Sequence, residues 1–497
     1  MLFNSLDFLI FFPVVTLIYF LIPHKIRYIW LLICSYYFYM CWNAAYALLL
    51  FTSTAITYAS GLAIQAAGKH EENDPERLKS KGFVAISFIL NLTILIFFKY
   101  TGFIIDNLNL LFGRFGMELV IPKFDILLPV GISFYIFQAL SYTVDAYRGD
   151  VKVERNFLKY AVFVSFFPQL VAGPIERSSR LLNQFNDRHK FDYDRVCKGL
   201  MMMVWGFFQK MVIADRVAVF VNQIFNYYNY YSGLEIFIGM LFFAVQIYCD
   251  FAGYSNIALG AAQVMGFDLM QNFTQPYLAR SVAEFWKRWH ISLTSWFRDY
   301  LYIPLGGNRK GKWIKYRNIM IIFLTSGLWH GANWTYVIWG GLNGAFQIVG
   351  AQTLNLRKRI KKAAGIREES WSYKMLATVI TFLLVDFTWI FFRADNIEAA
   401  FSLIRQMFSG FRPWILIDGS LYAMGLSFID FWIGMIAIAV LLAVDILHSR
   451  NVHIREWIVK QNLWFRWGIY LLAVYSILIF GYYGPNFDAT QFIYFQF

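Results

Sequence analysis

Two histidines in apolar company are the side chains best placed to do chemistry in this sequence. His290 follows Ser281-Val-Ala-Glu-Phe-Trp-Lys-Arg-Trp289, and His330 sits inside Ser326-Gly-Leu-Trp-His-Gly-Ala-Asn-Trp334. An imidazole titrates close to neutrality, so it can take a proton from a hydroxyl and return it to a leaving group. Beside His330, Asn333 offers an amide donor to a substrate carbonyl, and Trp329 and Trp334 offer pocket walls. Glu284 and Arg288 stand four residues apart on one helical face and should pair, while Ser281 and Glu284 fit a capping box. His290 would then orient or hydrogen-bond groups reacting near His330. A buried histidine is more often a satisfied structural residue, and that alternative stays open from spacing alone. Asp250, in the apolar stretch Gln246-Ile-Tyr-Cys-Asp250, is costly within a membrane unless partnered. The two histidines with Asp250 could supply three metal ligands, but no HxxxH or HExxH spacing supports a metal, and none is expected. No GxSxG motif marks a serine nucleophile, and nothing marks a cysteine as activated.

The elements that must position these residues follow from charge. Gly307 to Arg317 carries five cations and no acid, and Asn355 to Arg367 is again strongly basic. By the positive-inside rule both stretches face the cytoplasm. The 37 residues from Asn318 to Leu354 between them suit a helical hairpin turning at Gly327 to Trp334. That turn lies about 12 residues, or roughly 18 Å, from the basic end, short of a hydrocarbon core of about 30 Å. His330 is therefore expected near mid-membrane depth, at a break whose backbone must face protein or water and not lipid.

Composition agrees with a membrane setting. The 497 residues are 59% hydrophobic, 20% aromatic and only 15% charged, far below the charge content of soluble domains. About eleven spans are expected. The formal charge of +13 concentrates in short loops, which fits anionic headgroups better than nucleic acid. Cys34, Cys41, Cys197 and Cys249 form no CxxC pair, so neither a disulfide framework nor a zinc knuckle is implied. The N-terminus lacks a cleavable signal and is expected to remain as the first membrane helix.

Along the chain, residues 4–22 read as one helix, and 28–67 as two with a turn near Trp42. The polar stretch 68–82 reads as a solvated loop, 83–105 as a span with Lys99 reaching the headgroups, and 108–122 as an amphipathic connector. The two prolines and the glycine of Phe167-Pro-Gln-Leu-Val-Ala-Gly-Pro174 predict a broken or re-entrant piece, and Glu176 to Lys198 a surface loop with a short helix. Asp215 and Arg216 read as a self-neutralising pair in the run that also holds Lys210. Further spans are expected near 374–392, 429–447 and 466–483. Absence of an internal repeat weakens a transporter built from inverted halves.

The stretch from Glu284 through Tyr300-Leu-Tyr-Ile-Pro-Leu-Gly-Gly307 resembles the membrane-bound O-acyltransferase family, and within it the group serving bacterial alginate O-acetylation. Phe167 to Pro174, Tyr248-Cys-Asp-Phe-Ala-Gly-Tyr-Ser255, Gly327-Leu-Trp-His-Gly331 and the terminal Phe492-Ile-Tyr-Phe-Gln-Phe497 carry the likeness nearly end to end. Asn256 departs from it, where relatives usually have an acid. The resemblance implies an all-α polytopic fold: a single membrane domain with N-terminal helices at 1–125, a catalytic core at 126–355 and C-terminal helices at 356–497. In this fold funnels from both faces meet near His330. It implies that His330 and His290 match the family's histidines and that a cytoplasmic thioester, acetyl-CoA or an acyl carrier, is the donor, with no tightly bound cofactor. It further implies a multi-pass place in the bacterial cytoplasmic (inner) membrane, with its lipids around the chain. A periplasmic SGNH-hydrolase-like acetyltransferase partner would hand the acyl group to a polysaccharide. D-alanyl transfer to teichoic acid and peptidoglycan O-acetylation are the alternatives within the fold. A proton-coupled transporter, or a scaffold for secreted partners, is the alternative outside it.

Overall fold

A computed structural model describes residues 1–68, 75–117, 120–122, 124, 127–171, 173–410, 412–483 and 492–493. Among them the regular structure is entirely helical. Among the described residues seven helices are long and apolar enough, by length and composition, to cross a membrane, and Leu6–Leu21 is a shorter apolar one. The expected eleven are not confirmed among these residues: Lys312–His330, for example, opens with cations at Lys312, Lys315 and Arg317 and is not among the seven. Many helices start at an Asn or Ser whose side chain accepts a first-turn amide, as at Asn156, Asn333, Ser370 and Asn462. Such caps satisfy donors that no helical carbonyl can reach. The chain divides into two compact units, residues 1–200 with 258–270, and residues 201–257 with 271–497.

In the first unit, the run 28–67 breaks at residues 41–45 into His24–Met40 and Tyr46–Ala66, as the sequence suggests. The next helix does not. It runs unbroken from Pro75 to Arg114, so the stretch expected as loop from 75 to 82, and the start of the expected connector, are helical. Residues 69–74 of that loop, 125–126, Ala172 and the tail from 494 lie outside the described residues. Polar side chains tie these apolar helices together. Ser53 donates to Asn91 at 2.6 Å and Tyr160 to Thr57 at 2.7 Å, contacts that lipid cannot replace. Lys99, expected to reach the headgroups, has its ammonium 3.4 Å from the Ser133 hydroxyl. The Pro-rich piece is broken at Phe166, between Phe157–Ser165 and Phe167–Leu170.

Glu176, expected in a surface loop, is wholly buried and accepts the Met270 amide. Burial outweighs the neighbouring Met270 amide and Arg180 guanidinium and pushes its carboxyl from 4.5 up to about 7. The folded pKa thus lies above the unfolded one, and the folded state holds a proton that the unfolded state has released between those values. Stability should therefore fall as pH rises from about 4.5 to about 7, by about 3 kcal/mol at most. Glu176→Gln keeps the acceptor and removes the titration. Its melting temperature in detergent should exceed wild type by a margin that grows across that window and stays level above it. A margin independent of pH would contradict this.

The second unit contains the segment from Met201 and a core rich in aromatic rings. The helix Tyr193–Asn226 is continuous, but residues 208–214 wind as a π-helix. In an ordinary helix, residues five apart point about 140° away from each other. Here the amide of Asp215 bonds the carbonyl of Lys210, and their side chains meet at 2.8 Å. The expected Asp215–Arg216 pair does not form, since adjacent helical residues face apart. Arg216 turns to Asp430 at 3.5 Å and to the carbonyls of Val212 and Phe480.

The hairpin predicted between the two basic stretches is present as Lys312–His330 and Trp334–Gln352. Glycine sets its closeness. A Cβ at Gly327 would strike the carbonyl of Tyr336, and one at Gly340 the carbonyl of Phe323, the small-residue packing that brings membrane helices together. The helix Trp371–Arg393 packs against the second arm.

Candidate active site

His330 is the last residue of its helix, and the chain turns through residues 331–333 before Asn333 caps the second arm. Its ring is 4% exposed. Trp329, Trp339 and Phe392 surround it at centroid distances of 5.0, 5.1 and 5.3 Å, all steeply inclined to the imidazole plane. Trp339 comes from the second arm and Phe392 from Trp371–Arg393, so three helices fix one imidazole.

His290 reaches the same place from a short break. The helix Val282–Arg288 begins at Ser281, whose hydroxyl accepts the Glu284 amide at 3.1 Å; Glu284 in turn accepts the Arg280 amide at 2.9 Å. The capping box forms with its return bond one residue earlier than the usual pattern. After Trp289 the chain enters a left-handed conformation at His290, φ 45° and ψ 54°, and a second helix, Ile291–Phe297, follows. Few residues other than glycine adopt that geometry. The turn drives the His290 ring into the core, 1% exposed, against Phe251 at 4.7 Å and Trp329 at 5.9 Å.

The two imidazole centroids are 6.3 Å apart. A hydrogen-bonded atom lies about 4 Å from an imidazole centre. At that spacing a single point can lie within about 4 Å of both ring centres.

Of the other residues singled out in the sequence, Trp329 packs against both imidazoles and the rest make other contacts. Asn333 uses its oxygen on the Thr335 amide and its nitrogen on the Asp395 carbonyl, at 3.1 and 2.8 Å. Trp334 is half-exposed, while Trp329 is buried beside both histidines. Arg288 and Glu284 pair at 2.6 Å on a partly exposed face, as their spacing predicts. Asp250 bonds Lys210 at 2.6 Å and accepts the Ile493 amide at 2.8 Å. It belongs to a buried charge cluster with Asp215, and its next neighbour, Phe251, is what touches His290. Asn256 donates to Gln209 at 2.7 Å.

Sequence reasoning passes over Trp339, Phe392, Phe251 and Asn272. The first three look like any core aromatic residue. Asn272, in the irregular stretch before Pro276, has no periodic neighbour to mark it.

A model of the membrane-bound O-acyltransferase family matches residues 151–385. A probable alginate O-acetylase of Pseudomonas syringae is 40% identical over 419 residues, 84% of this chain and 77% of the relative. The chain belongs to the membrane-bound O-acyltransferase family. It is a multi-pass membrane acyltransferase. The peptidoglycan O-acetyltransferase of Helicobacter pylori is 35% identical over 76% of the acyltransferase and 73% of its own length. The teichoic acid D-alanyltransferase of Bacillus subtilis is 29% identical over 54% and 70%. The matched region of the acyltransferase contains His290, His330, Asn272 and Trp339.

Proposed function

We propose that this acyltransferase moves an acetyl group from a cytoplasmic thioester to a hydroxyl presented from the other face of the bacterial cytoplasmic membrane, for O-acetylation of a cell-surface or secreted polysaccharide. The observation that carries this reading is the pair of buried imidazoles 6.3 Å apart at the turn of a glycine-packed hairpin. His330 takes the proton of the acceptor hydroxyl as its oxygen attacks the thioester carbonyl. His290 donates to the oxyanion of the tetrahedral intermediate. The intermediate collapses, the carbon–sulfur bond breaks, and the proton held by His330 passes to the departing thiolate. Ester and free thiol are the products. Exchange of thioester for ester needs little driving force from the protein, whose task is positioning and one proton transfer.

The cations from Arg309 to Arg317 and from Arg357 to Lys362 suit an anionic donor such as coenzyme A or a phosphopantetheine carrier. A periplasmic partner of the SGNH-hydrolase kind would receive the acetyl group and pass it on. The names of two relatives, an alginate O-acetylase and a peptidoglycan O-acetyltransferase, support acetyl as the group moved.

The test is to reconstitute the purified chain in liposomes with radiolabelled acetyl-CoA outside and a candidate periplasmic partner inside. Thiol release together with label on the inner acceptor is the expected result. Movement of a solute without loss of thioester would replace this reading with a transporter.

A further inference from the structure

The left-handed turn at His290 needs something to hold it, since non-glycine residues remain in that region only where their surroundings over-determine them. Asn272 surrounds that turn with three hydrogen bonds. Its carbonyl accepts the Ile291 amide at 2.9 Å, satisfying the first free donor of the helix after His290. Its Oδ1 accepts the Ser292 hydroxyl at 2.6 Å. Its Nδ2 donates to the Ser255 hydroxyl at 3.0 Å, tying the turn to the long helix Leu234–Met265. The residues on either side continue the pairing, as the Thr274 amide bonds the Arg288 carbonyl at 3.0 Å. Asn272, Ser255 and Ser292 are 2%, 3% and 0% exposed, so water does not compete for these bonds, and buried networks of this kind fix a single geometry.

We infer that Asn272 is a positioning residue for the acyl-transfer site: it locks the backbone at residues 291 and 292 to the helix carrying Ser255 and Phe251, and so fixes the direction of the His290 ring. The inference rests on the role given to His290 above, but the clamp can be tested separately. In Asn272→Ala the main-chain bond to Ile291 remains and both side-chain bonds are lost. The turn can then relax toward an ordinary conformation, withdrawing the His290 ring from His330. Misplacing a reacting group by about 1 Å costs about a hundredfold, so kcat should fall about ten- to a hundredfold while KM for acetyl-CoA changes less than about threefold. Ser292→Ala should act in the same direction and more weakly. The double variant should be no slower than Asn272→Ala by more than about twofold, because both changes release the same turn.

A second readout does not depend on activity. Diethyl pyrocarbonate labelling of His290, followed by mass spectrometry on detergent-solubilised protein of unchanged elution profile, should rise several-fold in Asn272→Ala and to a lesser degree in Ser292→Ala. Labelling that stays at the wild-type level in both variants overturns the inference. So does a loss of kcat no larger than the loss of folded protein, or losses that multiply in the double variant. If wild-type protein consumes no thioester, the proposed function fails, and the labelling comparison still decides the clamp.

Discussion

Replacing His330 with alanine is expected to lower acetyl transfer about a hundred- to ten-thousandfold, the range that a positioned general base contributes. KM for the donor should change little if, as proposed, the donor is held by the basic stretches and the imidazole serves only proton transfer. The variant should still fold. The hairpin is held by glycine contacts at Gly327 and Gly340 and by the Asn333 cap, none of which uses the imidazole. Single-turnover measurement of thiol release against time, on protein with the wild-type elution profile, checks this. Transfer retained within tenfold would remove His330 as the base and leave its burial as a packing matter.

Lys210→Met should be the most destabilising single change in the second unit. The ammonium lies between Asp215 and Asp250 at 2.8 and 2.6 Å, and all three side chains are at most 5% exposed. Removing it leaves two carboxylates side by side without a counter-charge. Breaking a buried pair from one side costs about 3–5 kcal/mol, whereas replacing all charged partners by neutral groups of similar size is often near neutral. The triple variant Lys210→Met, Asp215→Asn, Asp250→Asn should therefore recover much of what the single variant loses, since the amide introduced in place of the Asp250 carboxylate still offers an acceptor to the Ile493 amide. Thermal unfolding in detergent separates the cases. Equal loss in single and triple variants would show that the cluster acts through packing and not through charge.

These two cases also show how far the sequence can be read. His330 is legible because its position follows from counting: two basic stretches fix the ends of a hairpin, and the apolar length between them leaves the turn at a set distance. The observed helix ends, Lys312–His330 and Trp334–Gln352, are the product of that count. The proximity of His290 to His330 is not legible from periodicity, because it depends on a left-handed residue and on a clamp from Asn272, eighteen positions earlier in irregular chain. The charge cluster escapes for a different reason. A helical period of 3.6 puts Lys210 and Asp215 on different faces, and only a local i to i+5 winding brings them together. Nearness in sequence to His330 suggests pocket roles for Asn333 and Trp334, whereas the structure shows Asn333 bonded to Thr335 and Asp395 and Trp334 half-exposed. A turn of three residues sends neighbours outward, so Asn333 caps a helix and Trp334 reaches the surface.

The widened winding from Phe208 to Ala214 has a consequence for length variation in the chain. Wider coils of this kind accommodate one surplus residue without breaking the rod. Deleting a single amino acid between Lys210 and Asp215 would return the rod to its regular pitch with the downstream register kept, and would leave the acid four positions after its cation, on the same helical face. Loss of one residue there is thus absorbed, whereas gain of another would set the acid six positions from its cation and part the pair.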